Sequence, residues 1–293
     1  MQVTLPERDR IGAEIRGVDV TKIAPSELEE AKRLLYRHKL LVFRDQSPSD
    51  VEYIEFARKI GKPQIYFQAH YHHPDHPEIF VSSNEVRDGK KFGVAGTGRY
   101  WHTDYSFMDE PLPLTMLFPK RLPQGIRATS YVDMERVARL LPADLRRVVQ
   151  GRRAIHEGKM RYKIQEWDID RALIDIIRQI EKEVPAVTHP ALIRHPVTEA
   201  EILYMNEGFT TGIEGVTYEE TQKVLGEIFA FTSREDNVHT HAWREGDLLI
   251  WDNRSLIHMA STTTKGEVST SYRIGIYDEH PFYVGIAPPK KVG

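Results

Sequence analysis

Apolar residues in this chain come in short runs, each closed by a charge, a glycine or a proline, and this habit restricts the fold more than any other feature. Runs such as Leu40–Phe43 and Leu248–Trp251 have the length of buried strands and are far too short to cross a bilayer. The pattern predicts strands over His38–Gln46, Ile79–Ser82, Leu114–Phe118, Ala128–Asp133, Arg153–His156, Ala191–His195, Ile202–Asn206, Val238–Trp243, Asp247–Trp251 and Tyr272–Asp278. Helical spacing is confined to Asp50–Ile60, to Met134–Leu140 continuing through Asp144–Val149, to Ile169–Glu183 and to Tyr218–Phe231. Ser47–Pro48–Ser49 supplies an N-cap signal for the first of these and Gly61 a stop. Many strands with few helices between them imply a sandwich or barrel, mainly β with helical insertions. A doubly wound sheet needs regular strand–helix alternation, which is missing. Neither a repeat nor a linker divides the chain, so residues 1–293 are expected to form one domain.

Composition removes several function classes. Lys and Arg number 40 against 43 Asp and Glu, a net charge of −3, which gives no reason to expect a nucleic-acid partner. No cysteine is present, so thiolate metal sites, iron–sulfur clusters, disulfides and thiol nucleophiles are excluded. Met1–Arg10 is charged and lacks the apolar core of a secretory signal; the expectation is a soluble cytoplasmic protein with no membrane partner. Gly93–Gly98 (GVAGTG) does not fit a dinucleotide fingerprint, and neither a phosphate-cradling loop nor a nucleophile elbow occurs.

The chemistry concentrates in Arg99–Phe107, RYWHTDYSF. His102 and Asp104 are two apart, and on a strand such residues share a face. His258 lies much later, in WDNRSLIHMA, and Arg273 sits fifteen residues beyond it in the apolar stretch SYRIGIYD. Two histidines and one carboxylate are the ligand set of mononuclear non-haem Fe(II) oxygenases, which leave metal positions open for O2 and a co-substrate. A lone HxD arises by chance in many loops; the ordered flanks give this one weight. A cation inside an apolar run needs a partner, and a carboxylate is the natural one for Arg273. His239 and His241 form a competing i, i+2 pair without a carboxylate on their own strand. The cluster His70, His72, His73, Asp75 and His76 is broken by Pro74 and Pro77 and reads as a lid loop rather than a second metal site.

Over nearly its whole length the chain resembles the taurine dioxygenase-like Fe(II)/2-oxoglutarate-dependent oxygenases. The resemblance is carried by GAEIRGVDVT, LLVFRDQ, YWHTDYSF, THPALIRHPVTEAEILYMN, FTTGIEG, GDLLIWDNRSLIHMA and YRIGIYD. It implies a double-stranded β-helix (jelly roll), with His102, Asp104 and His258 as Fe(II) ligands and O2 and 2-oxoglutarate as co-substrates. Thr129 and Arg273 would hold the two ends of 2-oxoglutarate.

Within that family the chain looks most similar to an isonitrile-forming branch, which oxidises N-carboxymethyl β-amino fatty acids. Tyr71–Glu85, the HxD segment and YKIQ around Lys163 carry this likeness. It implies a small anionic substrate, contacted by Lys163, Tyr66, Tyr71 and Arg127, with Tyr105 over the metal face. Phe67 and Thr262 depart from the branch, which has a second tyrosine and a histidine at those places. Two other readings stay open: hydroxylation of another small anionic amine or sulfonate, and a jelly-roll scaffold without redox function. Oligomeric state, including a homo-oligomer, is left open.

Overall fold

The computed structural model describes residues 1–8 and 10–284, together with the backbone of 290–291. Its main sheet has eight strands. Along the hydrogen-bonded path they run Gln2–Thr4, Ala13–Arg16, Leu40–Phe43, Leu248–Asp252, Leu114–Arg121, Thr270–Tyr277 and Lys62–Gln64, with Phe80–Ser83 also paired to Thr270–Tyr277. All pairings are antiparallel except that of Ala13–Arg16 with Leu40–Phe43. A three-stranded sheet, Val238–Ala242, Ala128–Asp133 and Leu256–Ala260, is built separately.

The short, unbroken apolar runs follow from burial on both sheet faces, where alternation is not required. Successive residues of one strand enter different cores. Leu41, Phe43, Leu248, Ile250, Met116 and Ile274 pack with Leu34, Leu35, Phe56 and Ala57 from helices Pro25–His38 and Asp50–Ile60. Leu40, Val42, Leu249 and Trp251 face the other way, onto Tyr131 and Leu256 of the three-stranded sheet. The layers are therefore helices, large sheet and small sheet. A further core joins the back of the small sheet to helices Met134–Leu140, Ala143–Val149 and Tyr218–Thr232. No helix of the described residues is long and apolar enough to cross a membrane.

Several boundaries differ from expectation. The helix expected to run from Met134 to Val149 breaks into two at Leu141–Pro142, because proline lacks the N–H and disfavours helical backbone in the residue before it. The helix expected from Ile169 begins at Leu173; Asp170 has φ +68°, a left-handed conformation no right-handed helix contains. Strand His38–Gln46 shortens to Leu40–Phe43, since Lys39 (φ +66°) closes the preceding helix. That helix, Pro25–His38, escapes the sequence pattern. It buries only Ala31, Leu34, Leu35 and Tyr36.

Candidate active site

Beside the apolar core of Tyr131, Leu249 and Trp251, the space between the large and small sheets is lined by polar side chains. Cross-strand register sets this lining. On the large sheet Trp251 pairs with Thr115, and Arg273 with Leu117 on the neighbouring strand pair. On the small sheet His258 pairs with Tyr131 and Ala260 with Thr129. Directly paired residues share a sheet face. Thr115 and Arg273 thus point inward from one wall, and Thr129 and His258 from the other.

The remaining ligand candidates come from the segment between Phe92 and Leu114. His102 and Asp104 are not on a strand, contrary to expectation. His102 forms a single antiparallel bridge to His258, its N–H donating to His258 O at 3.1 Å and its carbonyl oxygen accepting from the His258 N–H at 2.7 Å. Asp104 sits in the turn that follows, and Tyr105 has φ +61°. The tight turn, not strand alternation, brings imidazole and carboxylate together. His258, expected just beyond a strand, lies in the middle of one, Leu256–Ala260. Two glycines let the backbone close around His102. A Cβ on Gly98 would stand 3.0 Å from the ring, and one on Gly208 would stand 3.0 Å from the His102 Cβ.

His102, Asp104 and His258 are buried and offer ligand atoms that all lie within 4.8 Å of one another. Asp104 Oδ1 is 3.9 Å from His102 Nε2, and Oδ2 is 4.0 Å from His258 Nε2. His102 Nδ1 is 2.8 Å from Tyr100 O, so it carries the proton and Nε2 turns its lone pair to the cluster. Burial lowers the pKa of both histidines, that of His258 strongly. Burial alone would raise Asp104, but Arg273, the two histidines and Thr115 hold it down to about 2. Neutral imidazoles beside an ionised carboxylate are the donor set a divalent iron requires. The residues present fit that ion.

Arg273 Nη1 donates to Asp104 Oδ1 at 2.5 Å, and its guanidinium lies 4.0 Å from the centre of the Phe80 ring. The other oxygen, Oδ2, accepts from the Thr115 hydroxyl at 2.6 Å. Thr115 in turn accepts from Asn253 Nδ2 at 2.8 Å, and Asn253 Oδ1 accepts from the Trp251 indole at 2.9 Å. Thr115 and Asn253 were not singled out by sequence. Neither is charged nor lies at a telling spacing, and only the register reveals them.

Two cavities meet at the cluster. One, about 800 Å³ when the space open to solvent is included, is lined by Tyr66, Tyr71, Tyr105, Lys163, His102, Asp104 and Arg273, among others. The other, about 590 Å³ on the same measure, is lined by Arg127, Thr129, Trp243, His258 and, again, Arg273. The predicted residues are therefore all gathered at the site but sorted differently from expectation. Arg127, expected beside the primary substrate, shares a cavity with Thr129 instead. It donates to Ser261 O, and no carboxylate pairs with it among the described residues. Thr129 accepts from the Trp243 indole at 2.9 Å. Lys163 donates to Ala95 O; burial and Arg99 lower its pKa. Tyr105 donates to Gln64 Oε1 at 2.6 Å and packs edge-on against Tyr66. Phe67 lines the first cavity, whereas Thr262 is exposed and lines neither.

The competing histidines lie elsewhere. His241 bonds Asp247 at 2.9 Å, a carboxylate on the turn before the next strand. Asp50, His73 and His76 come close enough to hold a cation. However, Lys120 already holds Asp50 at 3.0 Å, and His73 Nδ1 accepts the Asp75 N–H, which puts the His73 proton on the side facing Asp50.

Known proteins agree with this geometry. Pentalenolactone F synthase of Streptomyces arenae is 29% identical over 267 residues, 88% of this chain and 89% of that protein. An alpha-ketoglutarate-dependent sulfate ester dioxygenase of Pseudomonas putida is 28% identical over 264 residues, 87% of this chain and 82% of that protein. The crystal structure of a taurine dioxygenase from Burkholderia xenovorans superposes with a TM-score of 0.80 at 25% identity, over 100% of this chain and 94% of that one. A model of the family described as taurine catabolism dioxygenase TauD, TfdA family, matches residues 3–273. A buried two-histidine, one-carboxylate cluster inside that match leaves one conclusion: the chain belongs to the TauD/TfdA family and is a dioxygenase dependent on Fe(II), 2-oxoglutarate and O2.

Proposed function

We propose that this dioxygenase converts an N-carboxymethyl β-amino fatty acid to an isonitrile, and that its two cavities divide the labour. The carrying observation is the larger cavity. It joins the candidate ligands His102 and Asp104 to a cation, Lys163, and to the tyrosines Tyr66, Tyr71 and Tyr105, a lining suited to an anionic amine. The two sheets, with the cluster between them, are read as the walls of a double-stranded β-helix formed by a single domain.

His102, Asp104 and His258 would hold the iron, which supplies activation of O2 coupled to decarboxylation of 2-oxoglutarate. The chain's own residues do the rest. Arg127 and Thr129, in the second cavity, are suited to the two ends of 2-oxoglutarate. Arg127 is the better clamp for the far carboxylate, because Arg273 is already engaged by Asp104. Arg273 faces both cavities and would sense both ligands. Lys163 and the tyrosines would hold the substrate carboxylates and exclude water.

The overall change is a four-electron oxidation. The group R–NH–CH2–CO2H becomes R–N≡C and CO2, losing four hydrogens as two waters. Two 2-oxoglutarates and two O2 are consumed, giving two succinates and two further CO2. The alternative, hydroxylation of a sulfonate or another anionic amine, is favoured by Phe67, which removes a hydroxyl from this cavity. Mass spectrometry after incubation with Fe(II), 2-oxoglutarate, O2 and N-carboxymethyl β-amino acids decides between them. An isonitrile with two succinates per product supports the proposal. A hydroxylated or dealkylated product with one succinate, or no turnover of this class, overturns it.

A further inference from the structure

Arg127 lines two cavities. One is the cavity of Thr129 and His258; the other is a smaller pocket, about 270 Å³ with the space open to solvent included. Ser82 is shared in the same way. The remaining lining of the smaller pocket is polar: Ser83, Thr263 and Ser269 supply hydroxyls, and Arg99 a second guanidinium. No carboxylate is among its lining residues.

Its charge is not answered from within. Arg127 donates to the Ser261 carbonyl, a neutral acceptor. Arg99 is exposed and has neither a hydrogen bond nor an ion pair among the described residues. Burial and the Arg99 charge both lower the pKa of Arg127. Other part-buried arginines of this chain are paired, Arg44 with Glu14 and Asp247, and Arg254 with Asp278. Two neighbouring guanidiniums, one of them largely desolvated, are costly until an anion joins them. The walls around them are fixed. Asn84 donates to Glu267 O and accepts from the Ser269 N–H, both at 2.8 Å, and Ser83 shares a 2.7 Å bond with Thr270. Gly96 (φ +63°) lets the Arg99 guanidinium lie over the backbone, 3.3 Å from where a Cβ would stand.

We propose that this smaller pocket binds a tetrahedral oxyanion, phosphate or sulfate, between Arg99 and Arg127. Two guanidinium forks and the hydroxyls of two chain segments offer donors in more directions than a planar carboxylate can use. An anion there draws on the guanidinium that also faces the inner cavity. Its occupation therefore competes with 2-oxoglutarate for Arg127, a coupling that rests on the reading of Arg127 as the co-substrate clamp. The binding itself does not rest on that reading, nor on which substrate is oxidised.

Calorimetric titration of the metal-free protein with inorganic phosphate, the ionic strength held with chloride, should show saturable binding. Arg99→Gln, at an exposed position without partners, should weaken it about tenfold or more, the loss of one charge-assisted contact. Arg99→Lys should recover part of the affinity. Sulfate should bind like phosphate, and acetate more weakly. No saturable binding, equal binding in Arg99→Gln, or acetate binding as tightly as sulfate overturns the proposal; phosphate seated in the inner cavity would show itself as binding indifferent to Arg99→Gln. In the iron-loaded enzyme, with succinate as the readout, added sulfate should raise the KM for 2-oxoglutarate and leave kcat alone. Arg99→Gln should abolish that rise and keep the parent's activity in chloride. Sulfate that binds in an Arg99-dependent way without moving this KM would keep the pocket and sink the reading of Arg127 as the clamp.

Discussion

Thr115→Val is the most searching perturbation of the site, because it removes one oxygen and changes little else. The indole of Trp251 can only donate, so Asn253 must present its carbonyl oxygen to Trp251 and its amide group to Thr115. The Thr115 hydroxyl, its lone pair taken, then has its proton free for Asp104 Oδ2. All four side chains are buried. Valine keeps the volume and leaves two groups without this partner, the Asn253 N–H and the Asp104 carboxylate oxygen. Each orphan costs about 1–3 kcal/mol, more for the charged one, so the metal-free protein should lose roughly 2–6 kcal/mol. At this chain length that lowers Tm by roughly 3–10 °C. Loss of a hydrogen bond to a ligating carboxylate should also weaken metal binding about 10–100-fold. Thermal melts of the metal-free protein and anaerobic titration with Fe(II) or Mn(II) measure both effects, and Thr115→Ser, which keeps the hydroxyl, should recover most of each. A valine variant with unchanged melting and unchanged metal affinity would refute the idea that this chain of donors holds Asp104 in place.

His102→Ala and Asp104→Ala should each abolish succinate formation and the visible absorption band that appears when Fe(II) and 2-oxoglutarate are added without O2. A surviving band would remove those side chains from the ligand set. Arg127→Gln should raise the KM for 2-oxoglutarate about 30-fold or more, the cost of losing a buried charge pair, whereas Lys163→Met should spare 2-oxoglutarate and weaken the primary substrate. The opposite pattern would exchange their cavities. Stability should fall with acid over a defined window. Burial lowers His189 from 6.5 to about 4 and lowers His156 strongly. Between those pH values the unfolded chain takes up protons that the folded one refuses, so stability drops as pH falls from 6.5, by roughly 3 kcal/mol for His189 alone. Denaturant titrations at pH 7 and pH 4.5 should show the loss, and His189→Gln should reduce it.

The ligand types were readable because metal chemistry restricts them to a few side chains, and the strands because both sheet faces are buried. Conformation was less readable. Asp104 meets His102 through a turn with a left-handed tyrosine at its end, a geometry that propensity does not announce. Helix Pro25–His38 hid because its core-facing stripe is narrow. The arginines show the deeper limit. Arg273 and Arg127 look alike in sequence, one inside an apolar run and one before a strand, and only the contact of Arg273 with Asp104, 169 positions away, separates a paired cation from one without a carboxylate. The same holds for His241, whose partner Asp247 comes from a neighbouring turn.

The charges explain why such a site takes acidic ligands. Asp104 and Arg273 cancel one another across 2.5 Å, so the metal-free cluster costs little to bury compared with an unpaired carboxylate. A divalent ion added there would be uncompensated, because Asp104 is the one carboxylate among the three ligand candidates. Arg127 on one side and Lys163 on the other add further positive charge in partly desolvated positions. Two negative charges brought by 2-oxoglutarate would neutralise the ion, and an anionic substrate would then answer Lys163. On this reading affinity for the co-substrate depends on the metal being present first, since the dianion otherwise meets only Arg127 and an already paired Arg273.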